Sequence, residues 1–125
     1  MPKVAKNPET NRPWTRKTLR KAWIKALRSG KYEQTKGGLR NRKGFCCLGV
    51  LCDVYDPTKW VEDDDIKYLF WYEEEESNLP HYLYTFIGLN ELDNRPELYE
   101  LNDKFDKTFK QIANILEKGG YWEDA

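Results

Sequence analysis

The sequence predicts an α+β fold: a mainly α-helical single domain with a small β-hairpin or sheet. Three observations carry that reading. Apolar residues recur at helical spacing from Thr15 to Ser29, Thr108 and Gln111 form a capping pair before a second amphipathic stretch, and Ile66 to Tyr72 has the aromatic content of a strand. A chain of 125 residues holds one core rather than two. Residues 1–10, with two prolines and little apolar content, read as a loose N-terminal arm, and 11–125 as a single compact domain.

In the first helix Leu19, Ala22, Trp23, Ala26 and Leu27 fall at i, i+3, i+4, i+7 and i+8, while basic residues fill most other positions. Thr15 can cap its start and Gly30 can end it; Asn11 as cap, with Pro13 in the first turn, is an earlier alternative. Lys31 to Arg42 has Gly37 and Gly38 between Tyr32-Glu-Gln-Thr and Leu39-Arg, and Asn41 to Gly44 is rich in turn formers, so a small hairpin is expected in this stretch. The densest apolar run follows: nine of the eleven residues from Phe45 to Tyr55 are apolar or cysteine, which makes it the expected core. Cys47 to Tyr55 reads as a buried helix that stops before Pro57, with a buried strand as its rival, because periodicity alone does not separate the two.

Asp56 to Asp65 reads as an acidic loop and Ile66 to Tyr72 as a strand, closed by four glutamates. A helix is predicted from Ser77 or Asn78 through Ile87, with Pro80 in its first turn and Gly88 as its stop. A polar connector leads to a short helical piece near Pro96 to Leu101. The last helix places Phe109, Ile112, Ala113 and Leu116 on one face and ends at Gly119.

Charge is distributed unevenly. Residues 1–43 carry 14 Lys and Arg against Glu9 and Glu33, a balance of +12, and residues 44–125 carry 7 basic against 19 acidic residues, a balance of −12. The halves can neutralise each other, within a monomer or between the copies of a homo-oligomer, or one of them can meet a charged partner. No run approaches the roughly 18–20 apolar residues of a membrane span, and the start has no apolar signal core, so a cytoplasmic protein with no membrane partner is expected.

Three clustered cysteines, two of them adjacent, do not have the spacing of a disulfide framework, and reduced, buried thiols are expected. Cys46, Cys47 and Cys52 with His81 supply the atoms of a zinc site, but on a helix the three thiols diverge, so no metal and no cofactor are expected. Cys46 or Cys47 at a helix start, with His81 and Asn90 later in the chain, is the order of a cysteine hydrolase, although apolar neighbours raise a thiol pKa. Arg16, Lys17, Arg20 and Lys21, with Trp14 and Trp23 nearby, are candidates for phosphate contact and base stacking, against a bland reading as a solvated helix face. Arg40, Arg42 and Lys43, flanking the glycines at 37, 38 and 44, form a candidate anion-binding loop. Nucleotide-binding glycine loops and a nucleophile-elbow serine are absent.

Four segments together carry a family resemblance: Trp23 to Gln34; Phe45-Cys-Cys-Leu-Gly-Val-Leu-Cys-Asp; Leu79-Pro followed by Ile87-Gly-Leu; and Leu101-Asn-Asp with Thr108-Phe-Lys-Gln-Ile-Ala. They resemble small uncharacterised proteins encoded by bacteriophages, over roughly residues 23–117, with the acidic insert 56–77 outside the pattern. The resemblance implies a phage origin and the host cytoplasm, and it brings no established activity. The leading expectation is a non-catalytic binding protein acting on a host component, either a host protein or a small-molecule signal. The alternatives are a nucleic-acid-binding protein using its basic helix and a cysteine-dependent hydrolase.

Overall fold

A computed structural model describes residues 4–67, 69–76, 78–90 and 96–123. Its centre is the cysteine-rich run, which forms a helix, α2 (Cys47–Tyr55), with seven of its nine residues buried. The helical backbone from Cys47 to Tyr55 excludes the strand alternative. Gly49 lies so close to the chain at Leu39 that an added Cβ would stand 1.8 Å from the Leu39 carbonyl oxygen. The Cys46 N–H donates to that same oxygen at 3.0 Å, so the segment before α2 crosses the helix at a point where only glycine fits.

The preceding helix, α1 (Arg16–Arg28), starts at Thr15, whose side chain forms a capping box with Thr18. The earlier start fails because Arg12–Pro13 is a strand, β2, paired antiparallel with β1 (Lys6–Asn7). The segment read as an arm also contributes Val4 and Ala5 to the edge of the core, and the Ala5 N–H donates to the Tyr55 hydroxyl at 3.0 Å. Leu19, Trp23 and Leu27 bury one stripe of α1. That stripe packs on α2 and on α5 (Phe109–Glu117), while α3 (His81–Ile87) lies against another side of α1 and α4 (Leu98–Asp103) covers α2. The Thr108–Gln111 capping box of α5 and its buried face of Phe109, Ile112, Ala113 and Leu116 are as read from sequence.

Differences lie in the small sheets and helix starts. The hairpin is β3 (Arg40–Asn41) with β4 (Gly44–Phe45), so its turn falls at residues 42–43, not at the double glycine. Asn41 decides this, because its side-chain oxygen accepts the Lys43 N–H at 2.8 Å and closes a turn of its own. The predicted strand 66–72 narrows to β6 (Phe70–Tyr72), and its partner β5 (Trp60–Glu62) lies in what reads as an acidic loop. Asp63 organises the connection by accepting from the Asp65 and Ile66 N–H groups and from Trp71 Nε1, all within 3.0 Å. Helix α3 starts at His81, with Pro80 at ψ 140° as the residue before it; the alternative start at Ser77 lies outside the described residues, as does the connector at 91–95. Near Pro96 the helix begins two residues later, at Leu98, under a Glu97–Glu100 capping box. The result is an α+β small single domain.

Replacing Gly49 by Ala is expected to lower unfolding stability by about 1–3 kcal/mol, since the added methyl meets backbone and not a movable side chain. A urea unfolding midpoint equal to that of the wild type would contradict the close approach.

Candidate basic docking ridge

The basic residues of α1 separate into two groups according to what they touch. Arg16 Nε donates to the Phe86 carbonyl at 2.8 Å and its terminal nitrogen to Thr85 at 3.0 Å. Arg20 donates to the Ile87 carbonyl at 2.8 Å and lies 4.2 Å above the Trp122 ring. Both therefore serve the last turn of α3, where carbonyls lack helical partners and a cation is favoured. Gly88 ends that helix at φ +76°, and a Cβ there would meet the Arg20 guanidinium at 2.5 Å. Arg16 also pairs with Glu123 at 2.9 Å. Arg28 joins α1 to α5 by a two-bonded pair with Glu117, at 2.9 and 3.0 Å, and by a bond to Asn114. The hydrogen bond and charge of Arg28 hold the Glu117 carboxyl below its ordinary pKa.

The lysines are placed differently. Lys17, Lys21, Lys25 and Lys31 are exposed, and among the described residues no carboxylate lies within ion-pair distance of any of them. At about 100° per residue, Lys17, Lys21, Ile24 and Arg28 share one flank of α1. Together with neighbouring side chains they line an open groove of about 1080 Å³, with half-buried Ile24 in its floor. Lysines at i, i+4 and i+8 repel one another, each pair costing the helix about 0.2–0.5 kcal/mol. The four residues proposed for phosphate contact thus divide: Arg16 and Arg20 hold α3, while Lys17 and Lys21 face solvent.

Trp14 and Trp23 are both buried, at 5% and 0% exposure. Trp23 Nε1 donates to the Cys47 carbonyl at 2.9 Å and Trp14 Nε1 to the Tyr55 carbonyl at 3.0 Å. They tie down the two ends of α2 and offer no ring face to a base. In the other candidate loop, the Arg40 guanidinium sits among the rings of Phe70, Phe45 and Trp60, at 4.1, 5.1 and 5.4 Å from their centroids. It binds the two hairpins together by cation–π contact, whereas Arg42 and Lys43 stand exposed on the turn.

The cysteines serve α2. Cys46 is its N-cap, with Sγ accepting the Gly49 N–H at 3.4 Å. Cys47 is fully buried and its thiol donates to the Leu98 carbonyl at 3.5 Å. A cleft of about 490 Å³ reaches Cys46 between Gly37, Gly38, Asn78, Glu97, Tyr99 and Asp103, so among the described residues no basic side chain lines it. Burial pushes the Cys46 thiol up to about 11 and the Cys52 thiol well above its ordinary value. His81 is exposed, and no hydrogen bond among the described residues joins it to Cys46 or Cys47. Among the described residues no group of three or more metal-ligating side chains converges.

A polar network beside the cysteines escaped sequence reasoning. Asn102, 1% exposed, accepts from Gln34 Nε2 at 2.8 Å and from the Cys47 N–H at 3.3 Å, and donates to the Thr35 carbonyl and to Asp103, both at 2.7 Å. Gln34 accepts the Phe109 N–H at 3.1 Å, so two carboxamides serve the starts of α2 and α5.

A domain-family profile matches residues 15–119. The chain belongs to the family described as Domain of unknown function (DUF8296). The DUF8296 match begins at the residue that caps α1 and ends at the glycine after α5, so it takes in all five described helices and the ridge. No curated protein and no solved structure matches the chain. No helix among the described residues is long and apolar enough to cross a membrane.

The buried thiols make stability depend on alkaline pH. Unfolded thiols ionise near 9.0, whereas folded Cys46 keeps its proton to about 11, so above pH 9 the unfolded chain releases protons that the folded chain retains. Stability is expected to be full below pH 9 and to fall as pH rises towards 11, with Cys46 reacting with iodoacetamide at neutral pH only as fast as the protein opens. Fast alkylation of the folded protein at pH 7, or stability that is flat across this range, would contradict the placement.

Proposed function

We propose that this chain is a non-catalytic binding protein that receives an acidic face of a host protein on the lysine ridge of α1. The observation that carries the reading is the division of cations on that helix. The arginines are spent on α3, Trp122 and α5, while lysines of one sign stay unpaired around Ile24 despite their mutual repulsion. Sequences tend to break a local rule of this kind where a surface has a use. An apolar floor with a charged rim suits a protein partner better than a nucleic acid, because the two tryptophans that would stack on bases are buried. A phage origin and action in the host cytoplasm rest on the resemblance of the four segments quoted above. Binding, not hydrolysis, is supported by a thiol held protonated and a histidine that does not reach it.

Affinity capture from bacterial lysate at low salt, with the wild type and Lys17→Glu/Lys21→Glu/Lys25→Glu in parallel, tests this reading. A defined protein retained by the wild type, depleted about tenfold or more on the variant and unaffected by nuclease, is expected. Equal retention on both would contradict the ridge. Retention abolished by nuclease would assign the ridge to nucleic acid.

A further inference from the structure

The β5–β6 hairpin carries a surface that neither the core nor the ridge uses. Its inner face supplies Trp60 and Phe70 to the cluster around Arg40, and the Tyr72 hydroxyl donates to the Asp56 carbonyl at 2.9 Å. Because strand residues alternate between faces, Val61 and its cross-strand neighbour Trp71 point the other way. Val61 is 55% exposed, and Ile66 on the connecting loop is 58% exposed. On the same connecting loop Asp64 and Asp65, and just beyond β6 Glu74, are exposed and, among the described residues, without an ion-pair partner; the exposed Lys67 follows Ile66. The hairpin thus joins an apolar patch to mainly acidic neighbours, and the ridge an apolar floor to a mainly basic lining in which Glu117, paired with Arg28, is the acidic member.

Within one chain the two surfaces do not meet, since no described carboxylate reaches the ridge lysines. The hairpin is also fixed in place: Lys59 and the Tyr82 hydroxyl both bind Glu73, tying its base to α3. We infer that the hairpin of one copy docks on the α1 ridge of a second copy, head to tail. The inference rests on the ridge being a dock for acidic protein surfaces, as proposed above, and it makes the chain its own competitor for that dock. Charge complementarity supports it, because 21 basic and 21 acidic residues cancel over the chain while each surface remains unneutralised in the monomer. The contact is heterologous, so each added copy leaves one ridge and one hairpin free, and growth continues unless a ring closes.

Sedimentation velocity over a range of concentrations, at about 50 mM and about 500 mM salt, tests it. The average mass is expected to at least double from 14.9 kDa at low salt and to return to the single-chain value at high salt. The ridge variant Lys17→Glu/Lys21→Glu/Lys25→Glu and the hairpin variant Asp64→Lys/Asp65→Lys/Glu74→Lys, each checked for helical circular dichroism, are expected to stay monomeric alone and to associate when mixed. A wild type that is monomeric at low salt and high concentration overturns the docking, and so does a mixture that stays monomeric. Either result leaves host-protein capture on the ridge standing, whereas capture that is indifferent to the ridge variant, beside intact self-association, removes that reading alone.

Discussion

A helix with seven of its nine residues buried has to have its ends satisfied by the rest of the chain, and that requirement organises this protein around α2. Its first N–H groups are met by the Asn102 carboxamide and the Cys46 thiol, and carbonyls at its two ends by the indoles of Trp23 and Trp14. Leaving one such buried group unmet would cost about 1–3 kcal/mol. Meeting them fixes where α1, α4 and the N-terminal ribbon lie. The adjacent cysteines follow from the same requirement, one as a cap and one as a small buried side chain with a weak donor, and neither role needs a reactive thiol.

Once α2 has fixed α1, the chemistry of arginine and lysine sorts the surface. A guanidinium presents several donors in a plane and stacks on rings, so Arg16, Arg20, Arg28 and Arg40 can each join two or more elements. An ammonium on a flexible stem is strongly hydrated and gains little from such places. Lysines therefore remain on the outer flank, and the basic character of the N-terminal half becomes a ridge with an apolar floor. Of the 19 acidic residues in 44–125, eight lie between Glu62 and Glu76, on and just after a hairpin whose inner face is held by Arg40, which leaves its outer face open.

The parts legible in the sequence are those set by neighbours a few residues apart. Thr15 and Thr108 mark helix starts because capping is local, and the 3.6-residue period of Leu19, Trp23 and Leu27 names the buried stripe. Cys47 to Tyr55 is ambiguous because a run buried on nearly every side has no clear period, and what buries it, the approach of Leu39 to Gly49 included, comes from other segments. β5 was hidden because Asp63 to Asp65 look like loop residues until Asp63 is seen to hold the turn. On the ridge, a count of charges could not separate Arg16 and Arg20 from Lys17 and Lys21, since their difference lies in carbonyls about seventy residues away. The Gln34–Asn102 pair was unreadable for the same reason, although both residues lie within the stretch that the DUF8296 family profile matches.

The central claim is that the cations of α1 divide into those that build the fold and those left for a partner. The most direct measurement compares urea unfolding of Arg16→Gln/Arg20→Gln with that of Lys17→Gln/Lys21→Gln, which remove equal charge from one helix with little change in helix propensity. The arginine pair should lose about 1–3 kcal/mol, and the lysine pair should stay within about 0.5 kcal/mol of the wild type. Equal losses from the two pairs, or a larger loss from the lysines, would contradict the division.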